Sequence, residues 1–321
     1  MGLIDIRSNP VNLVLKQLLE DKTTGKNIIW ATDAYSIYGV GYSDKSQITT
    51  ETLLGTNAVT IQPRIEKALE EQQIRTRKKA EVFTPVWLCN KMNNFCDEEW
   101  FGRKNVFNVE CSNNQWDVID AKIIFPIETN EKLKNKDWKH YVDSRRLEIT
   151  CGEAPYLVSR YDAATGNLIL PLFRRIGMLD RKLRIVNENA VTDEEWRKWS
   201  IRALQSCYGY EYQGDSLLIA RINVLISYVD YYKEKFGDIP DIKPLRKIAN
   251  IICWNLWQMD GLKDTVPLGK PIESYEEPNL FNLFPEAMGT AKIDETDVAL
   301  PCRIFNWRSN ESMLFKACKE G

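Results

Sequence analysis

Histidine is nearly absent from this 321-residue chain, and its one example, His140, lies in the polar, lysine-rich stretch 136–143. A Ser–His–Asp or Cys–His mechanism would depend on that residue, and its setting favours an ordinary surface histidine. No two of the eight cysteines form a CxxC pair, so the sequence predicts no metal site of the usual zinc spacing. The cysteines lie in apolar stretches, which is typical of reduced thiols in a cytoplasmic protein.

Long apolar runs and a strong charge of one sign are missing as well. No run of about 18 apolar residues occurs, and the first residues lack the features of a secretion signal, so we expect neither a membrane span nor secretion. The net charge is −2, and basic residues gather only in short clusters, so composition gives no indication of DNA binding. The patterns GxGxxG and GxxxxGK(S/T) are absent too, which argues against a nicotinamide cofactor and a phosphate loop.

The first part of the chain, residues 1–80, is predicted to be mainly helical and distinct from the rest. One helix is expected to open at Pro10 behind an Asn9 cap, and another to run over about 63–79, with a short strand at 27–33 between them.

Another helix is predicted to begin at Thr84 and Pro85, because threonine caps a helix and proline fits its first turn. Its apolar residues predict the buried face, which would consist of Trp87, Leu88, Met92 and Phe95.

Residues 81–321 are predicted to form an α/β domain with a doubly wound parallel sheet, since strand and helix patterns alternate from about 145 onwards. Strands are expected at 145–150, 207–211 and 250–258, the last one holding Trp254 and Trp257 as core residues. Thr192 and Glu195 form a capping box that opens one helix, and a long amphipathic helix should span 214–237 with Gly237 as its stop. After a long loop or insertion near 262–300, one more strand is expected at 299–307 and a short helix at the end.

Acidic residues and a glycine fall where such a sheet would meet a ligand, beyond the carboxyl ends of its strands. The first strand runs into Glu148–Glu153, the second ends in Glu211 and the third ends near Asp260. An acid at the end of the second strand is placed to accept hydrogen bonds from ribose hydroxyls. Spacing alone leaves an equal chance that Glu211 and Asp260 are ordinary solvated or capping acids.

The order of four segments carries a resemblance to a known family: Phe-Thr-Pro at 83–85, LEITCGEAPY at 147–156, YGYEYQGDSLLIARINVL at 208–225 and WNLWQMDGL at 254–262. Together they resemble the γ-type adenine-N6 DNA methyltransferases of restriction–modification systems. The resemblance implies a Rossmann-like sheet, complete or not, that binds S-adenosylmethionine.

The resemblance also implies roles for individual residues. Phe83, Thr84 and Pro85 match the segment that touches the cofactor, and Glu211 and Asp260 match the acids at its ribose and its adenine. The first-strand motif of the family matches Glu148, Thr150, Cys151, Gly152 and Glu153.

The family's Asn-Pro-Pro-Tyr motif, which holds the flipped adenine, does not occur in this sequence. We therefore expect cofactor binding by this chain, and methylation only with a missing or separate catalytic segment. DNA would then be contacted through a second polypeptide, with a restriction nuclease as a further candidate partner.

Three alternatives stay open. Ala154, Pro155 and Tyr156, preceded by Glu153, superficially resemble the catalytic motif itself. The chain could instead be a non-catalytic, cofactor-sensing or scaffold protein with this fold, or a remnant without either activity.

Overall fold

A computed structural model describes residues 2–69, 72–73, 84–125, 137–162, 164–269 and 299–319 of the chain. This part of the molecule is a mixed α/β structure. Its helices are α1 (Val11–Leu18), α2 (Thr50–Leu54), α3 (Val86–Phe101), α4 (Trp138–Asp143), α5 (Met178–Asn189), α6 (Asp193–Gln205), α7 (Gly214–Phe236) and α8 (Ile242–Asn255). Its strands are β1 (Asn108–Glu110), β2 (Trp116–Val118), β3 (Arg146–Glu148), β4 (Cys207–Glu211), β5 (Leu256–Gln258), β6 (Arg303–Asn306) and β7 (Glu311–Leu314).

The central sheet has three parallel strands in the order β3-β4-β5, with Arg146 opposite Cys207 and Gly209 opposite Leu256. Parallel neighbours need a crossover connection. Helices α5 and α6 lie between β3 and β4 in the chain, and α7 and α8 lie between β4 and β5. The predicted alternation of strands and helices is therefore confirmed.

The two faces of this sheet are covered differently. Side chains alternate along a strand, so Cys207 and Leu256 share one face, which joins the main core formed with the helices. Tyr210 and Trp257 share the other face, where they pack with Phe315 beside the antiparallel β6–β7 hairpin. This second cluster does not extend over β3, and Leu147 is 44% exposed there.

The helices that follow the capping and glycine signals are confirmed. The Thr192 side chain accepts a hydrogen bond from the Glu195 N–H at the start of α6. Helix α7 ends at Gly237, whose φ of +80° is the left-handed conformation that favours glycine. These local signals are independent of distant contacts, which is why the sequence predicts them well.

The predicted strand 250–258 is wrong over most of its length. Residues 250–255 belong to α8, and only Leu256–Gln258 form β5. Trp257 is buried as expected, whereas Trp254 lies in the helix, with its ring 5.3 Å from that of Phe305. A short apolar run fits a buried helix as well as a buried strand, and here the helix continues into it.

The short helix expected in the last dozen residues is confirmed only as a short 3₁₀ helix, and a strand precedes it. Glu311–Leu314 is strand β7, paired antiparallel with β6, and only a short 3₁₀ turn follows at Lys316–Cys318. The last strand expected at 299–307 is confirmed in its central part as β6.

Helix α3 begins at Val86, close to the predicted start, but Pro85 takes the cap position and no Thr84 side-chain cap forms. The helix also buries a polar face instead of the predicted apolar one. Met92 and Phe95 are 48% and 59% exposed. Asn93 is buried because its amide donates to the backbone carbonyls of Tyr156 and Ile176. Asp97 is buried because it accepts from Tyr141 and Arg181. Partners from distant segments make polar burial favourable, and the sequence pattern does not show them.

The N-terminal region is less helical than expected, since α1 and α2 are its α-helices within residues 2–69. Helix α1 begins at Val11 with Pro10 at the cap position and without a side-chain cap from Asn9. The predicted strand 27–33 appears only as isolated bridges at Asn27 and Ile29. The helix expected from Pro63 starts as a 3₁₀ turn at Arg64–Glu66, and most of its remaining length lies outside the described residues.

Candidate functional site

A cavity of about 1270 Å³ lies where β3 and β4 end, and the residues that follow both strands line it. Its volume exceeds the roughly 300–1,000 Å³ of most small-molecule pockets, so it has room for a ligand of nucleoside size and more. The carboxyl edge of a parallel sheet is the usual ligand position in α/β proteins. The structure thus provides a cavity at the edge that the sequence indicated.

The turn after β3 forms one wall of the cavity. Thr150, Gly152 and Ala154 have φ values of +45°, +52° and +66°, which reverse the chain sharply. The N–H of Cys151 donates to the Tyr210 carbonyl at 2.8 Å, and this bond fastens the turn to β4. A Cβ added to Gly152 of this turn would have no atom within 4 Å, so space does not require glycine there. The left-handed backbone conformation is what favours it.

Glu211, at the end of β4, joins this turn to the sheet. Its Oε2 accepts the N–H of Gly152 at 2.8 Å, and its Oε1 accepts the N–H of Gln213 at 3.1 Å. The side chain lines the cavity although the residue is only 8% exposed, and burial raises the pKa of its carboxyl. A carboxylate accepts about four hydrogen bonds, so each oxygen keeps a lone pair for a ligand.

Glu148, the last residue of β3, is a second buried acid in the lining. It accepts the N–H groups of Tyr156 at 3.2 Å and Leu157 at 3.0 Å, and thereby holds the segment after the turn against the strand. Burial raises the pKa of Glu148 to about 8, because these two donors offset only part of the lost hydration. Glu148 is therefore largely protonated at neutral pH.

A polar cluster forms a further part of the lining. Glu153 accepts the backbone N–H of Arg64 at 2.6 Å and the hydroxyl of Tyr161 at 2.8 Å. Asn223 of α7 donates to the Glu153 carbonyl at 3.0 Å and to the Tyr161 hydroxyl at 3.1 Å. These bonds fix several polar side chains beside the cavity before any ligand enters.

The remaining predicted residues differ in where they lie. Thr84 lines the cavity, Pro85 is the residue before α3 and is not in the lining, and Phe83 lies outside the described residues. Asp260 does not line the cavity. Its carboxylate accepts the N–H of Leu262 and lies 3.5 Å from the Lys263 ammonium, so it stabilises a turn after β5.

Pro155 and Tyr156, the pair that resembles part of the catalytic motif, also line the cavity. Both residues lie in turns. Glu153, two residues before Pro155, accepts one hydrogen bond on each carboxylate oxygen, from the Arg64 N–H and from the Tyr161 hydroxyl.

Sequence reasoning missed one whole wall of the cavity. Ala31, Asp33 and Asp44 reach the lining from the N-terminal region. Gln258 of β5 attaches that region to the sheet. Its side-chain oxygen accepts the N–H of Ile29 at 2.9 Å, and its side-chain nitrogen donates to the carbonyl of Ile29 at 2.8 Å. No local pattern marks these residues, because a side chain more than two hundred positions away places them.

Two further observations limit the kinds of site. Within the described ranges, no group of three or more His, Cys, Asp or Glu side chains could hold a metal ion. The single histidine, His140, is largely exposed and contacts Asp137 at 2.7 Å, as expected of a surface residue.

None of the helices in the described part of the chain is long and apolar enough to cross a membrane. All eight cysteines are free thiols.

Comparison with known proteins adds no relative to this picture. No family model, no curated protein and no solved structure matches the chain.

Proposed function

We propose that this chain binds S-adenosylmethionine in the cavity at the carboxyl edge of its parallel sheet. In this proposal the sheet is a Rossmann-like one, and the chain is the cofactor-binding portion of an adenine-specific DNA methyltransferase. One observation carries it. The Glu211 carboxylate, held by the N–H of Gly152, lines a cavity large enough for a nucleoside.

The chemistry of this acid fits a ribose. The two hydroxyls of a ribose donate hydrogen bonds, and a buried carboxylate with free lone pairs accepts them more strongly than a neutral oxygen would. Hydrogen bonds to a charged partner contribute about 1.5–3 kcal/mol each. Glu211 is anchored by two backbone N–H groups, so little side-chain entropy is lost when a ligand binds.

The proposal assigns different tasks to different polypeptides. This chain would bind and orient the cofactor and exclude water from it. The flipped adenine needs acceptors for its amino group, and the Asn-Pro-Pro-Tyr motif that supplies them in the family is not in this sequence. We assign those groups to a missing or separate catalytic segment, and the DNA contacts to a second polypeptide.

Calorimetric titration with S-adenosylmethionine tests the cofactor site. The wild-type chain should give a saturable heat, and Glu211→Gln should weaken binding about 10- to 100-fold, because the ribose loses a charged acceptor. Glu234→Gln is the matched control, since Glu234 lies on α7, outside the cavity lining.

Thermal unfolding without ligand separates weakened binding from weakened folding, as the new amide also loses an acceptor for a backbone N–H. The absence of heat from the folded wild-type chain would overturn the proposal.

A further inference from the structure

One guanidinium in the cavity lining has an unused edge. Nη1 of Arg160 donates to Oδ1 of Asn223 at 3.0 Å and to the Leu3 carbonyl at 3.4 Å. Its Nε is buried without a hydrogen-bond partner. Among the described residues, no hydrogen bond involves Nη2 either. The edge made by Nε and Nη2 therefore has donors available, in a residue that lines the cavity.

This side chain is fixed in place before a ligand arrives. Asn223, which holds it, is only 3% exposed and also donates to the Tyr161 hydroxyl at 3.1 Å. Tyr161 in turn donates to Glu153 at 2.8 Å. A chain of hydrogen bonds thus runs from Arg160 to Glu153 and keeps a cation and an anion at a set separation in one lining.

No carboxylate pairs with Arg160 in the described part of the molecule. Among acidic residues, Asp230 has the largest electrostatic effect on the pKa of Arg160, but Asp230 forms its ion pair with Arg175, at 2.7 Å. Burial lowers the pKa of Arg160, which shows how much hydration the group has lost, yet a guanidinium keeps its charge in proteins. Buried donors without acceptors are unfavourable, so a ligand that supplies acceptors gains affinity.

We infer that the Nε–Nη2 edge of Arg160 binds the carboxylate of an aminoacyl ligand, and that Glu153 accepts its ammonium group. The planar pair of N–H groups matches the two oxygens of a carboxylate, which favours this anion over a rounder one. The inference rests on the proposed function: Glu211 would hold the ribose of the same ligand, and Arg160 its amino-acid tail. Arg160 is then a specificity residue for the tail.

Two thioether nucleosides test this assignment. S-adenosylhomocysteine carries the amino-acid tail, and 5′-methylthioadenosine carries the same nucleoside without it. We expect the wild-type chain to bind the first about 10- to 100-fold more tightly in calorimetric titrations. Arg160→Gln should reduce that ratio about tenfold or more while leaving the affinity for 5′-methylthioadenosine unchanged. Arg160→Lys should restore part of the ratio, since a lysine keeps the charge without the planar fork.

Arg175→Lys is the matched control, because Arg175 also has a buried nitrogen without a hydrogen-bond partner among the described residues and does not line the cavity. The Arg175→Lys chain should prefer S-adenosylhomocysteine over 5′-methylthioadenosine by the same factor as the wild type. Equal weakening of both nucleosides by Arg160→Gln would overturn the inference and leave the proposed function standing, as would a wild-type chain that binds both with the same affinity. A wild-type chain that binds neither would overturn the proposed function and this inference together.

Discussion

At the scale of single residues, Glu148 gives a prediction about pH. Its carboxyl is buried and its pKa is raised to about 8, so between about pH 4.5 and pH 8 the folded chain holds a proton that the unfolded chain has released. Stability should therefore fall as pH rises through this range, by at most about 1.4 kcal/mol per pH unit from this group. Urea unfolding at pH 5.5, 6.5 and 7.5 measures it, and Glu148→Gln should flatten the slope.

The slope of unfolding free energy against pH is the quantity to compare, and not the stability itself. In Glu148→Gln the new amide group would face a backbone N–H and lower the stability at every pH. Asp180 provides the control. Burial raises its pKa to about 6, so Asp180→Asn should change the slope only below that pH. An unchanged slope between pH 6.5 and 7.5 in Glu148→Gln would contradict the prediction.

Residues of the candidate site divide by how far away their partners lie. Cys151, Gly152 and Glu211 could be placed from sequence, because the first two lie in the turn after β3, the third ends β4, and the two strands are parallel. Arg160 could not, because its Nε–Nη2 edge becomes notable only once Asn223 is seen to hold the other nitrogen. Asp260 follows a strand as well, yet its turn directs it to Lys263 and away from the cavity.

At the scale of elements, the first turn of α7 packs directly on the N-terminal region. A Cβ on Gly214 would lie 2.0 Å from the Ile29 carbonyl oxygen, which is backbone and cannot move aside alone. Gly214→Ala should therefore displace the segment that Gln258 fastens to β5 and that leads to Ala31 in the cavity wall. We expect a loss of about 1–3 kcal/mol in unfolding free energy, together with weaker cofactor binding.

Ser227→Ala, later in the same helix, is the control for this substitution. Ser227 is fully buried and its hydroxyl has no hydrogen-bond partner among the residues that the structure describes, so its removal should leave stability unchanged or slightly higher. If Gly214→Ala were as stable as Ser227→Ala in chemical unfolding, the close approach at Ile29 would not constrain α7.

Elements are predictable from the sequence when their signals lie within them. Helices α6 and α7 carry a cap or a terminal glycine within their own sequence, and β4 is bounded by the turn residues around it. The division between α8 and β5 has no such marker, because apolar residues continue through both. The buried face of α3 depends on hydrogen-bond partners in other segments, an acceptor for Asn93 and a donor for Asp97, so its pattern of apolar residues pointed to the wrong side.

At the scale of the whole molecule, the N-terminal region and the sheet share one hydrophobic core, in which Leu15 and Leu18 of α1 pack with residues of α7 and α8. The sequence predicted a mainly helical region over 1–80 that is distinct from the rest. Composition does not reveal that α1 buries its apolar side against α8 instead of forming a core of its own.

Arg221 of α7 connects the N-terminal region with the sheet, and this connection leads to a prediction of how the molecule unfolds. It is fully buried, and its guanidinium donates to the carbonyls of Leu18 at the end of α1, Glu20 shortly after it, and Leu256 at the start of β5. Arg221→Met should leave these carbonyls without donors and lower the unfolding free energy by roughly 3 kcal/mol or more. Because one residue serves both regions, far-UV circular dichroism and tryptophan fluorescence should shift together, in a single transition. Arg103→Met is the control, since Arg103 is exposed and its partners within the described residues are the Ile124 carbonyl and the neighbouring Phe101 ring, so the unfolding midpoint of this variant should hardly move. Separate transitions for the two probes in the wild-type chain would show instead that the N-terminal region unfolds on its own.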